Sequence, residues 1–330
     1  MGQAAAPERL TRRTAGLGLL GAAIASRAAA APPARNLYFL SGASVLTCAF
    51  DGSGLRTLCT GRGGGLNDGI AFDPVTRRLY WTNMGKAGED DGFIESANLD
   101  GGDVRLVAPP GSSFTPKQLK IDARGRRLYW SDREGMRVMR CGIDGSGVET
   151  LLQSGKGEAD RRDTARWCVG IALDVTRGHI YWTQKGGEAA GPGRGSIRRM
   201  SLHLPADQTP STRTDVEVLF SGLPEPIDLD LDPARRRLYW TDRSDNTVSR
   251  APMDAPKTIG GVDPARRTDR EILVRDVPAA IGLALDLAGQ RMAYTGLRGQ
   301  VGCAGLDGEG ARMVIDGLGA RALATGIVFV

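Results

Sequence analysis

The sequence predicts an all-β protein: a six-bladed β-propeller of four-stranded blades, closed by a C-terminal strand that pairs into the first blade. Three observations predict it. A Tyr-Trp motif recurs along the chain, an apolar strand motif precedes its copies at a near-constant distance, and Asp-Gly turns punctuate much of what remains.

The first element has four good copies: Arg78-Leu-Tyr-Trp-Thr-Asn83, Arg127-Leu-Tyr-Trp-Ser-Asp132, His179-Ile-Tyr-Trp-Thr-Gln184 and Arg237-Leu-Tyr-Trp-Thr-Asp242. Two degenerate copies bracket them, Asn36-Leu-Tyr-Phe-Leu-Ser41 and Arg291-Met-Ala-Tyr-Thr-Gly296, so equivalent positions fall 42 to 58 residues apart. The second element comprises Gly69-Ile-Ala-Phe-Asp73, Gln118-Leu-Lys-Ile-Asp122, Gly170-Ile-Ala-Leu-Asp174, Asp228-Leu-Asp-Leu-Asp232 and Gly282-Leu-Ala-Leu-Asp286. The Tyr38 copy has no such strand before it. Gly326-Ile-Val-Phe-Val330, at the far end of the chain, supplies it only if the last strand pairs with the first. The third element is the turn at Asp51, Asp100, Asp144 and Asp307, with Asp254-Ala255 as a weaker copy. Asp-Gly between alternating apolar residues signals a hairpin, because glycine tolerates positive φ. Each unit then reads as four antiparallel strands. Such a sheet cannot cover both its faces alone, whereas neighbours arranged in a circle cover each other. The Tyr-Trp pairs are therefore packing residues first, and closure through residues 326–330 removes an open sheet edge.

These Tyr-Trp-[Thr/Ser]-[Asp/Asn/Gln] repeats resemble the class B, or YWTD, propeller of low-density lipoprotein receptors and related secreted proteins, over residues 36–330 as a single domain. The fourth motif position varies as Asn83, Asp132, Gln184 and Asp242, and the outer copies lack it. Hydrogen bonding between blades is the expected task of that position. The cysteine-rich modules that receptors carry do not flank the repeats, so the resemblance implies the fold and not a receptor's role.

Residues 1–31 read differently. Arg12-Arg13 precedes the apolar run from Ala15 to Ile24, and the small residues Ala28 to Ala31 follow, the layout of a cleaved export signal. The run is too short for a membrane span. The Thr11-Arg12-Arg13 start suggests a twin-arginine signal, while Ala15 and Gly16, standing where the stronger pattern has Phe-Leu, leave general secretion open. The expected location is secreted or periplasmic. Arg9, Arg12, Arg13, Arg27 and Glu8 of this segment carry most of the net charge of +5, so the remainder is nearly neutral. That balance gives no electrostatic case for a nucleic-acid partner. The five cysteines fit an oxidising compartment without requiring one; Cys48 and Cys59 flank a turn, so a bridge within one hairpin is conceivable although they do not stand directly opposite each other, and buried free thiols account for them at least as well.

Blade-specific polar loops on a repeated scaffold are where an asymmetric site can be built. The loops leading into the inner strands and those following the Tyr-Trp strands share one face around the channel. They contribute Asp68, Lys117, Gln118, Arg133, Glu134, Trp167, Lys185, Glu225, Asp228 and Arg243 as candidate binding residues, with Trp167 as the anchor. Asp228, Asp230 and Lys120 occupy slots where other blades have glycine or alanine, so these charges must meet water, an ion or one another. Asp68, Glu225 and Asp228 could offer oxygen ligands to calcium, as in some six-bladed lactonases. The Gly-Ser-Gly segments at Gly52 and Gly145 are hairpin turns and not a nucleophile elbow, and His179 and His203 fall away from the channel face. The favoured function is an exported binding or scaffold protein recognising a protein, peptide or glycan on its channel face. The alternative is a metal-assisted lactonase- or lyase-type enzyme.

Overall fold

A computed structural model describes residues 1–3, 35–187, 193–254, 262–319 and 322–330. The export-signal segment lies almost entirely outside the described residues.

Six four-stranded antiparallel sheets follow one another along the chain. The first blade contains β1 (Leu37–Ser41), β2 (Ser44–Cys48) and β3 (Arg56–Thr60); the second β4 (Asn67–Asp73), β5 (Arg78–Asn83), β6 (Gly92–Asn98) and β7 (Arg105–Ser113). The third is β8 (Pro116–Asp122), β9 (Arg127–Asp132), β10 (Arg137–Gly142) and β11 (Glu149–Gln153). A five-residue helix, α1 (Gly157–Arg161), lies on the way to the fourth: β12 (Cys168–Asp174), β13 (His179–Gln184), β14 (Gly195–Ser201) and β15 (Glu217–Leu223). The fifth is β16 (Pro226–Asp232), β17 (Arg237–Asp242), β18 (Thr247–Pro252) and β19 (Glu271–Val274), and the sixth β20 (Ala280–Asp286), β21 (Arg291–Gly296), β22 (Gln300–Gly305) and β23 (Arg312–Ile315). The inner strand of the first blade is β24 (Ile327–Phe329), which pairs antiparallel with β1, Leu37 opposite Phe329. The ring closes as the sequence predicts.

The four Tyr-Trp strands are buried from their second residue to their last, because both their faces are covered by neighbouring blades. Trp81, Trp130, Trp182 and Trp240 are all fully buried. Just before each of these strands the chain turns through a left-handed residue, with φ of 54° at Arg77, 55° at Arg126, 70° at Gly178 and 54° at Arg236. The aspartates ending the inner strands cap these turns: Asp73, Asp122, Asp174, Asp232 and Asp286 each accept a backbone N–H two or three residues on.

The third motif position holds the blades together. The Oγ1 of Thr82, Thr183, Thr241 and Thr295 accepts the N–H of Gly69, Gly170, Asp228 and Gly282 in its own blade. The same hydroxyls donate to carbonyls of the following blade, at Lys117, Ile227, Ile281 and Thr325, over 2.5–2.8 Å. Ser131 does likewise to Gly170 at 3.0 Å. In the first blade the motif position is Leu40, which has no hydroxyl. Thr325 replaces it, donating to the Asn67 carbonyl at 3.0 Å, and this sixth link completes the circle. The fourth position acts otherwise than expected: it clamps the lead-in loop of its own sheet. Asn83 bonds Gly64 O and Asn67, Asp132 accepts the N–H groups of Phe114 and Thr115, and Asp242 accepts that of Glu225. The inter-blade role fails there because a short carboxylate at the strand end reaches the adjacent loop and not the next sheet.

Candidate functional site

Five of the inner strands carry a register irregularity at the same place. Pairing skips from Asn67 to Ile70, from Pro116 to Leu119, from Cys168 to Ile171, from Pro226 to Leu229 and from Ala280 to Leu283. A bulge leaves two residues outside the ladder and re-aims them. Here the first of each pair, with Thr325 in the first blade, lines a well at the channel mouth: Asp68, Lys117, Val169, Ile227, Ile281 and Thr325. The second of each pair is Gln118 in the third blade and Asp228 in the fifth, but Gly69, Gly170 and Gly282 in the other three lie where backbones almost touch. A Cβ on Gly69 would stand 2.5 Å from the Lys117 carbonyl oxygen, and one on Gly170 2.2 Å from that of Ile227, so glycine there is a packing requirement. An outer ring comes from the residue just past each Tyr-Trp motif: Met84, Arg133, Lys185, Arg243 and Leu297.

The resulting well has a volume of about 210 Å³ and an uneven wall. Val169, Ile227 and Ile281 form an apolar arc against which Trp167 and Leu297 pack. The arc on the second and third blades is charged, and so is the outer ring above Val169 and Ile227. Lys117 Nζ contacts Asp68 at 2.5 Å, and Gln118 Nε2 donates to the same carboxylate at 3.1 Å. Arg133 pairs with Glu134 at 2.6 Å. Glu225 collects Lys185 at 2.8 Å, Arg243 at 3.0 Å and the Ser244 hydroxyl at 2.7 Å. Four cations thus meet three carboxylates, leaving the rim with an excess positive charge. Trp167 stands among them, half-buried, its indole donating to Arg161 O, with the Arg133 guanidinium 5.0 Å and the Lys185 ammonium 5.3 Å from its ring centroid.

Electrostatics follow burial. Burial pulls the Lys117 ammonium below the ordinary lysine range, and Asp68 only partly offsets it. For Glu134 and Glu225 burial pushes the carboxyl up, but their basic partners outweigh it and hold both below the usual range. Asp228 is the opposite case: desolvation raises it to about 7, the distant positive charge of Lys120 opposing only in part. Its Oδ2 accepts the Leu283 N–H of the sixth blade at 2.9 Å. Asp230 does the same for Leu285, and Lys120 reaches from the third blade to Asp230 at 3.5 Å. Two of the three unusual channel charges therefore form a pair, and both aspartates tie the fifth blade to the sixth.

The structure brings nine of the ten candidate residues together at the channel mouth, leaves Asp228 apart from them on the Leu229 and Leu283 N–H groups, and ranks them by accessibility. Asp68, Lys117, Gln118, Glu225 and Asp228 are almost wholly buried, whereas Arg133, Glu134, Trp167, Lys185 and Arg243 are partly open. Asp68, Glu225 and Asp228 do not assemble as ligands. Among the described residues no three His, Cys, Asp or Glu side chains come together to hold a metal. Asp68 and Glu225 are already neutralised by lysine or arginine, and Asp228 is spent on backbone N–H groups. The apolar arc escaped sequence reasoning, which sought polar residues; its signal was present, since Val169, Ile227 and Ile281 share one slot of the repeat with Asp68 and Lys117. The five cysteines are free thiols, Cys59 facing Val45 and Cys48 facing Leu37.

No protein-family model matches the chain. It is 44% identical to the low-density lipoprotein receptor-related protein 1 of Pyricularia oryzae, across 78% of this chain and 83% of that protein. It is 38% identical to the 3-hydroxyacyl-CoA dehydrogenase-like protein LAM1 of Cochliobolus heterostrophus across 82% of this chain, which spans 57% of that relative's length. Among solved structures it resembles one chain of a nidogen–laminin complex, with a TM-score of 0.67 and 18% identity over 89% of this chain and 98% of the other, a likeness of fold. With the closed six-bladed ring, the threonine links and this degree of identity together, the chain belongs to the low-density lipoprotein receptor-related family of YWTD β-propellers.

Proposed function

We propose that the protein is an exported binding propeller that takes an apolar side chain of a protein or peptide partner into the channel mouth. One observation carries this reading: the well of about 210 Å³ is walled by Val169, Ile227 and Ile281 on the fourth to sixth blades and rimmed by Arg133, Lys185 and Arg243 on the third to fifth. A single large apolar side chain matches that volume, and the cationic rim would hold acidic groups beside it. The receptor-related name of the fungal relative supports a binding role, and a chain in which no described helix is long and apolar enough to cross a membrane is compatible with export.

The test is selection from a displayed peptide library. Peptides enriched on the wild-type protein should share an apolar residue flanked by acidic ones. They should lose at least about tenfold in affinity on Ile281→Lys, which fills the well with charge. A folded Ile281→Lys variant that binds the same peptides unchanged would reject the channel mouth as the site. The enzymatic alternative needs Asp68, Glu225 and Asp228 around one cation, which their present partners do not favour.

A further inference from the structure

The motif tryptophans provide an internal comparison away from the channel mouth. In the second blade Trp81 lies opposite Glu95, and its Nε1–H donates to the Glu95 carboxylate at 3.1 Å. The other carboxylate oxygen accepts the Arg62 N–H at 2.9 Å, and Glu95 is fully buried. In the third blade the Trp130 indole donates to Ser113 Oγ at 2.7 Å. In the fourth and fifth blades the indole N–H has no partner, and the fourth differs from the fifth in what stands opposite, Ser249 facing Trp240 in the fifth. Trp182 is fully buried, its Nε1–H has no partner, and the residue opposite it is Arg198. Where Glu95 supplies an acceptor, Arg198 supplies a second donor.

The gap is a real space. A pocket of about 370 Å³ between the third and fourth blades is lined by Trp182, Gln184, Arg198, Arg166, Arg194 and Asp163, among others. Arg166 is near Asp160 at 3.4 Å and Asp163 at 3.8 Å, and Arg194 meets Asp163 at 3.4 Å. Arg198 differs. Its Nε donates to Ser196 Oγ at 3.0 Å, and among the described residues it has no carboxylate within ion-pair distance. Burial pulls its guanidinium below the ordinary arginine range, as expected of a desolvated cation awaiting a counter-ion. A second orphan faces the same pocket: Gln184, 3% exposed, has an Oε1 with no donor. Buried polar atoms without partners cost about 1–3 kcal/mol each, and two beside one unpaired guanidinium define what is missing. The site lacks one acceptor group with a single negative charge, and one donor.

We propose that this pocket binds a small hydroxycarboxylate. Its carboxylate takes the place that the Glu95 side chain fills in the second blade, accepting from Trp182 Nε1–H and from the Arg198 guanidinium, and a hydroxyl donates to Gln184 Oε1. A carboxylate fits better than a phosphate dianion, because one guanidinium is uncompensated and the internal counterpart is itself a carboxylate. The site is separate from the channel mouth, so the two readings stand or fall independently.

Isothermal titration of the whole chain with D-gluconate tests the assignment, with hexanoate, glucose and inorganic phosphate alongside. Saturable gluconate binding is expected, with hexanoate weaker and glucose silent. Trp182→Phe keeps the ring and removes the N–H, and should weaken gluconate by about tenfold. Arg198→Glu rebuilds the second-blade arrangement internally, so it should abolish gluconate binding while the melting temperature holds or rises. Absence of saturable gluconate binding by the wild type overturns the proposal, as does full binding by either variant. Phosphate binding as tightly as gluconate overturns the carboxylate, and hexanoate matching gluconate overturns the hydroxyl. Ile281→Lys at the channel mouth should leave gluconate binding intact.

Discussion

The first and fifth blades reach the same geometry from differently arranged sequence. In the fifth, one continuous stretch supplies the inner strand β16, its bulge, the Tyr-Trp strand β17 and the Thr241 hydroxyl that links to Ile281. In the first, the inner strand arrives from the other end of the chain, Phe39 stands where Trp240 stands, and Leu40 stands where Thr241 stands. Thr325 nonetheless puts a hydroxyl where the ring needs one. The comparison shows that the fold requires a hydroxyl at a point in space between neighbouring inner strands, and that the motif is one way of delivering it.

Removing residues 324–330 breaks the comparison most severely. It takes away β24 and the Thr325 link together and exposes the first blade's edge, so calorimetry should show a broad, non-cooperative transition at a much lower temperature. Next come the core aromatics. Trp240→Ala should cost about 3–5 kcal/mol in denaturant unfolding, and Phe39→Ala somewhat less, because the smaller ring fills less of its interface. The hydroxyls sharpen the contrast. Thr241→Val strands both the Asp228 N–H and the Ile281 carbonyl, and should cost about 1–3 kcal/mol. Thr325→Val strands the Asn67 carbonyl alone and should cost less. Equal losses would mean that Thr325 is a full substitute and not a patch.

The smallest effect is a pH dependence. Asp228 titrates near 7 in the folded protein against 3.8 for an ordinary aspartate, so the folded state binds more protons between those values. Its contribution therefore erodes stability as pH rises from about 4 to about 7 and leaves it reduced above that window. Asp228→Asn should flatten the melting-temperature profile across this range; an unchanged slope would place the titration elsewhere.

Much of the fold was legible in the sequence because a repeat compares itself with itself. Tyr38 without a preceding strand and Gly326-Ile-Val-Phe-Val330 without a following one dictate closure from the sequence alone. The division of labour within the motif was not legible. Thr82 and Asn83 are adjacent, so the strand aims them at opposite faces, and the bulge at Asp68-Gly69 frees the Gly69 N–H for one and sets Asn67 opposite the other. At the channel mouth the repeat positions indicate which loops share a face, without showing that Asp228 turns away onto the Leu229 and Leu283 N–H groups. The burial of the polar residues there was not legible, because it depends on bulges that no local pattern marks. Nor could the orphaned Trp182 be seen, since its difference from Trp81 resides in a cross-strand neighbour, Arg198 against Glu95.

The seam of the ring leaves Asn36 and Val330 exchanging backbone hydrogen bonds at 3.0 Å in both directions. Topologically the propeller then has no privileged starting blade. A few linking residues between those two positions, with a new opening at the exposed Asp100-Gly101 turn, would give a circular permutant whose order of synthesis changes while every inter-blade contact persists.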